Sequence, residues 1–203
     1  MTNHTTDSTT SSPGIGELLA RAAARALPVV RGITDDRLGA ATPCADYDVR
    51  ALVNHLHRVV VNFQELAAKR PTDFSGADPD ALAAPDWRDR FETETGRLVA
   101  AWSAPGADEG TTGGWGLPAR TVGSMALLDL TVHAWDLARA TGGSFEPDPV
   151  VVAGLADEVT GMAPMARQGG VFGPAVELPA GASRFERMLA ETGRDPRAWA
   201  PRP

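Results

Sequence analysis

Cysteine is nearly absent. The 203-residue chain carries one, Cys44, so no intrachain disulfide can form and a zinc site made of cysteines alone is excluded. Basic residues are the minority. Nineteen Lys and Arg against 26 Asp and Glu give a formal charge of −7, which argues against a broad nucleic-acid surface, because that needs clustered cations. No apolar run reaches the length of a membrane span. The opening MTNHTTDSTTSSPG is polar and holds no apolar core, so it does not read as a secretory signal. The expectation is a cytoplasmic protein with no nucleic-acid or membrane partner, with a disordered tail over residues 1–13. Residues 14–203 read as one domain with a C-terminal extension from about residue 165. Also missing are an internal repeat, a strand pattern long enough for a sheet, and any convincing Ser-His-Asp or Cys-His arrangement. The glycines of GADEGTTGGWG make no dinucleotide fingerprint, since no strand precedes them and their spacing is wrong.

What the chain has is helical periodicity. Residues 15–31 carry Leu18, Leu19, Ala22, Ala26 and Val29 along one side, and Pro28 is expected to kink or stop that helix near Leu27. Residues 48–69 make a second helix, with Asp46 or Asp48 as its cap. Residues 87–102 make a third. The Gly-rich APGADEGTTGGWGLPA leaves room for a short hairpin before a fourth helix over 121–141, which Gly142 and Gly143 stop. A fifth spans 148–162. The stretch RQGGVFGPAVELPAG reads as loop, and a short last helix runs from Ser183, its cap, to Gly193. The class is all-α: a four-helix bundle, with the last two helices packed outside it or extending it and a Gly/Pro-rich tail.

The fourth helix places polar groups where burial is expected. With about 100° per residue, Val122, Ala126, Leu137 and Ala140 fall within roughly 40° of His133, and Asp129 lies about 40° to one side, one turn earlier. Residues four apart on a helix are neighbours close enough to share an ion. Asp136 lies further round, and Trp135 points the opposite way. In the second helix, His55 and His57 flank opposite edges of the apolar face, about 160° apart, so at most one looks into the bundle. Phase does not choose between them. An Asp on a buried face costs several kcal/mol unless it is paired, and two readings meet that need: Asp129 and His133 bonded to each other, or both holding a metal.

Three stretches carry a resemblance. TPCADYDVRALVNHL, DLTVHAWDLARATG and FGPAVELPAGASRFERMLAETGRDP are similar to the DinB-like metal-binding bundles, in the branch of mycothiol-dependent maleylpyruvate isomerase-like proteins (an actinomycete-type subgroup). The resemblance spans about residues 15–197. It selects His55 over His57 and implies that His55, Asp129 and His133 hold one divalent ion, with Zn²⁺ the leading candidate over Ni²⁺ or Fe²⁺. The best-known isomerase has Glu where this chain has Asp129, which sets the ion nearer the fourth helix or draws the helices closer. It also puts that isomerase's own substrate in doubt. Relatives use low-molecular-weight thiols, so mycothiol or a similar thiol is implied as cosubstrate, beside a small-molecule substrate.

Three protein ligands leave positions for water and substrate. A bound thiol would be held as thiolate and become a nucleophile, so no protein nucleophile is needed for thiol transfer or isomerisation. Two His and one carboxylate also permit a non-haem iron oxygenase site. A non-catalytic metal- or ligand-binding bundle, and a bundle without metal, complete the set. Asp136 or Arg139 could orient a ligand, although each residue type is more often solvated. Cys44 sits before a helix N-terminus that could lower its pKa, but packing under the loop is the commoner role for such a cysteine.

Overall fold

The computed structural model describes residues 12–114 and 116–199; the expected tail therefore lies outside the described residues as far as residue 11. Four helices make the bundle: α1 (Ile15–Gly32), α2 (Val49–Ala67), α3 (Trp87–Trp102) and α4 (Ala119–Ala140). Two more follow, α5 (Pro149–Gln168) and α6 (Arg184–Glu191). Each of α1 and α2 packs on both α3 and α4, so α1 and α2 stand on one diagonal and α3 and α4 on the other. That arrangement sets α2 against α4, the two helices that carry the histidines and Asp129.

Leu18 and Leu19 of the expected α1 stripe are buried, and Leu52, Leu56, Phe91, Leu98, Leu127 and Leu130 join them in the core. Gly123 permits the tightest contact. A Cβ there would lie 2.7 Å from Ile15 Cγ2 and 2.8 Å from Trp102 Cζ3, so only glycine lets α4 meet α1 and α3 this closely. Between α3 and α4 the anticipated hairpin exists, with β1 (Thr111–Thr112) antiparallel to β2 (Leu117–Pro118). It covers the end of α2: Thr112 Oγ1 donates to the Leu66 carbonyl (2.6 Å), and Lys69 Nζ donates to the Ala107 carbonyl (2.6 Å). Terminal carbonyls of a helix have no partner of their own and take such donors.

One expected helix end fails and another holds. Helix α1 keeps its expected span of about residues 15–31, and of the two outcomes offered for Pro28 the stop near Leu27 does not occur: the helix runs through Pro28. The missing amide costs one hydrogen bond, yet Val30 and Ile33 beyond it are buried in the core, and their burial holds the last turn. Helix α5 passes residue 162 and continues through Pro164 to Gln168, again because the buried Val159 and Ala163 keep its face on the bundle. It packs on α1, α4 and α6. Pro13, placed in the expected tail, is tied down: its carbonyl accepts from Arg120 (3.1 Å).

The C-terminal segment folds back. Ser183 and Glu186 close a capping box at the start of α6, which satisfies two otherwise unpaired amides. Gly193 ends the helix at φ 88°, where a Cβ would come within 2.7 Å of Gly173 Cα. The turn at Gly193 sends Arg194 inward. No helix of the described residues is long and apolar enough to cross a membrane.

Candidate metal centre

The loop before α2 prepares the site. The Thr42 hydroxyl accepts from the Cys44 amide (3.1 Å) and lies 2.8 Å from the Tyr47 carbonyl, which knots the loop. Asp48 then caps α2 by accepting from the Ala51 amide (2.8 Å). Tyr47 is left stacked on His55, ring centroids 5.2 Å apart. His55 in turn meets His133 edge to face at 5.3 Å. The motif that resembles the family is thus a local device: it starts α2 and fixes the imidazole about two turns further on.

His55, Asp129 and His133 come together as a cluster in which one ligand atom from each lies within 4.8 Å of the others. His133 Nε2 and Asp129 Oδ1 are 3.8 Å apart, beyond hydrogen-bond reach; two ligands of a tetrahedral ion stand about 3.4 Å apart. The hydrogen bond of His133 goes elsewhere. Its Nδ1 lies 2.9 Å from Asp136 Oδ2. A carboxylate on Nδ1 fixes the proton there and leaves the Nε2 lone pair facing Asp129 and His55, the arrangement that metal-ligating histidines use. Burial lowers the pKa of His55, outweighing the pull of Asp129, and favours the neutral imidazole that a metal requires. The donor set of two nitrogens and one oxygen suits a borderline divalent ion. His57 is not among these groups; its charged neighbours are Glu94 and Arg90 on α3.

Asp136 was expected further round the helix, with solvation as its commoner role. It is fully buried, because α4 has no solvent face to spare: 17 of its 22 residues are buried. Arg194 meets it through Nη2 to Oδ2 (2.8 Å) and Nε to Oδ1 (3.0 Å). Burial opposes the charge on Asp136, but the His133 hydrogen bond and Arg194 outweigh it and hold the carboxyl below its ordinary range. Arg139 does not orient the cluster; its Nη2 donates to the Trp199 carbonyl (2.7 Å). Arg194 was not singled out from sequence, and its place in a Gly/Pro-rich tail 58 residues beyond Asp136 gives no signal.

A second group, Cys44 with His133 and Asp136, is equally close-set. It is a poor cation site. Arg194 already neutralises Asp136 and reaches within 3.4 Å of His133 Nδ1, and burial raises the Cys44 thiol to about 11, so it stays protonated. The same shift removes Cys44 as a ready nucleophile.

A cavity of about 820 Å³ opens beside the first cluster, and both His55 and Asp129 line it. Its walls come from α2, α4, α5 and the loop around Asp78. Arg58 on α2 pairs with Asp78 Oδ1 at 2.9 Å and holds that loop in place.

Residues 19–138 match the family model described as the mycothiol maleylpyruvate isomerase N-terminal domain. Uncharacterized proteins of two Mycobacterium tuberculosis strains, CDC 1551 / Oshkosh and ATCC 25618 / H37Rv, are each 29% identical over 128 residues, covering 60% of this chain and 64% of theirs. The chain thus spans just under two thirds of the length of these curated relatives. No solved structure matches.

Proposed function

We propose, from the premise that this chain belongs to the mycothiol maleylpyruvate isomerase N-terminal domain family, that it is a divalent-metal-dependent enzyme acting through a low-molecular-weight thiol such as mycothiol. The family is DinB-like and mycothiol-related. His55, Asp129 and His133 are the ligands in this reading, and Zn²⁺ suits them best. A divalent ion held there would lower the pKa of a bound thiol and polarise a substrate carbonyl.

One observation carries the reading. The His133 ring is held through Nδ1 by a buried, fully paired Asp136, so that Nε2 faces Asp129 and His55 at the wall of a cavity. Any buried imidazole needs a hydrogen-bond partner; what packing alone does not require is an Nε2 turned toward a carboxylate 3.8 Å away and a second imidazole. Asp136 and Arg194 act as positioning residues: they hold the tautomer and the ring angle. Tyr47 stacks on His55 and limits its swing. The cavity admits a reactant on the side away from Arg194. Thiol transfer and thiol-assisted isomerisation both need these elements and no protein nucleophile, consistent with a Cys44 that stays protonated.

Calorimetric titration of metal-loaded protein with mycothiol, in buffers of different ionisation enthalpy, tests the reading. Binding should release the thiol proton, weaken as pH falls and vanish in the stripped protein. Metal-loaded protein that binds no cellular thiol would contradict it.

A further inference from the structure

The cavity beside His55 and Asp129 has a lining that metal and thiol alone do not explain. Its polar groups are linked to one another: His55 lies 3.8 Å from Asp78, which pairs with Arg58, and it clusters with Asp129. The rest is apolar and soft: three of the chain's six Phe, namely Phe63, Phe74 and Phe172, and three of its five Met, namely Met125, Met162 and Met165. Methionine adapts its shape to an apolar guest better than a branched side chain does. At this same cavity stand the two large hydrophobic residues left most open to solvent among the described residues, Met165 at 67% and Val171 at 75% exposed.

Charge narrows the guest further. Arg58 is the cation of the lining, and it is already matched. Its guanidinium donates to Asp78 Oδ1 (2.9 Å), the Gly76 carbonyl (3.0 Å) and the Ser75 carbonyl (3.3 Å). Asp129 adds a negative charge to the same lining. Beyond the ion proposed above, no group of the described lining offers a carboxylate a free counter-charge, so the second carboxylate of a dicarboxylate would go unmatched. The volume of about 820 Å³ falls within the roughly 300–1,000 Å³ of small-molecule sites.

We infer that this cavity seats an uncharged, hydrocarbon-rich small molecule, its apolar body against α5 and the Phe74 loop and its reactive end toward His55 and Asp129. Its role as the thiol's acceptor rests on the reading proposed above; its chemical class rests on the lining. A small dicarboxylate does not fit this description.

The test uses the full chain and N-phenyl-1-naphthylamine, a neutral fluorescent probe, with divalent-ion uptake measured separately on the same sample. Probe binding should be saturable. Straight-chain alcohols from butanol to decanol should displace it, about fourfold more tightly per added methylene, while maleate should not. Replacing the two exposed residues, Met165→Glu with Val171→Glu, should weaken the probe at least tenfold without loss of helicity by circular dichroism. Ion uptake without saturable probe binding, or displacement by maleate and not by decanol, overturns the inference and leaves the metal reading standing. Length-dependent binding by protein that takes up no ion supports the ligand class and removes the metal–thiol reading with the acceptor role. A dimer split by the double substitution, with no probe bound by either form, gives the face to a second copy and overturns the inference.

Discussion

Asp136 keeps a negative charge in the interior because two donors meet it, His133 Nδ1 at 2.9 Å and the Arg194 guanidinium at 2.8 Å. Removing one member of such a group leaves the other's charge buried and unpaired, which costs about 3–5 kcal/mol, whereas removing both charges costs less. Arg194→Met should therefore lower stability in urea denaturation by an amount of that order, and Arg194→Met with Asp136→Leu should be less destabilised than Arg194→Met alone. A double variant as unstable as the sum of its parts would show that the pair is not acting as a unit. Arg194→Met should also weaken divalent-ion binding, by roughly 10–100-fold if the carboxylate it holds orients a ligand. At this scale His133 and Asp129 were legible from helical phase, and His55 only through the motif that resembles the family. Asp136 was legible as a residue that could orient a ligand, but its burial was not, because phase assumes one buried face, whereas α4 is buried nearly all round. Arg194 was illegible because nothing local distinguishes one tail arginine from another.

Among the elements, α4 depends on a residue that makes no polar contact. Gly123→Ala would drive a Cβ to 2.7 Å from Ile15 Cγ2 and 2.8 Å from Trp102 Cζ3. Overpacking of this kind costs about 1–3 kcal/mol, so the melting temperature should fall; an unchanged value would mean that α1 and α4 slide apart freely. Helix α6 gives a pH test. The Glu186 carboxyl is pulled from its ordinary 4.5 down to about 2, first by the Arg197 hydrogen bond and then by the Ser183 cap. A carboxyl whose folded value is depressed stabilises the fold above its unfolded value and loses that contribution as pH falls through the folded one. Amide protection in α6, corrected for the intrinsic pH dependence of exchange, should fall between about pH 4.5 and 2, and Glu186→Gln should flatten the profile. A profile identical in the variant would contradict this assignment. Helix starts were legible where a cap or a Pro marked them, as at Asp48 and Ser183. Ends were less so: Pro28 and Pro164 are local stop signals overruled by the burial of Val30, Ile33 and Ala163, which only the assembled bundle decides.

Across the whole molecule, the three proposed ligands lie within the stretch that matches the family, residues 19–138. The Met and Phe wall of the cavity at residues 162–172 and the Arg194 that fixes Asp136 lie beyond it. The stretch that matches the family thus carries the three proposed ligands, while the C-terminal segment shapes the cavity and holds Asp136 against His133. The all-α class and the bundle were legible because four apolar stripes of similar length had to be buried together. The diagonal pairing of α1 with α2 was not, since the connections allow more than one order. The proposed function requires that the cluster hold one ion, whereas the ligand class of the cavity does not. Chelator-stripped, untagged protein titrated with Zn²⁺ by calorimetry tests this most directly, in the wild type beside His55→Ala, His133→Ala and His57→Ala. The account predicts one ion per chain in the wild type and in His57→Ala, and none in the other two. Zn²⁺ bound as well by His55→Ala as by the wild type, or no ion bound by the wild type at all, would contradict it.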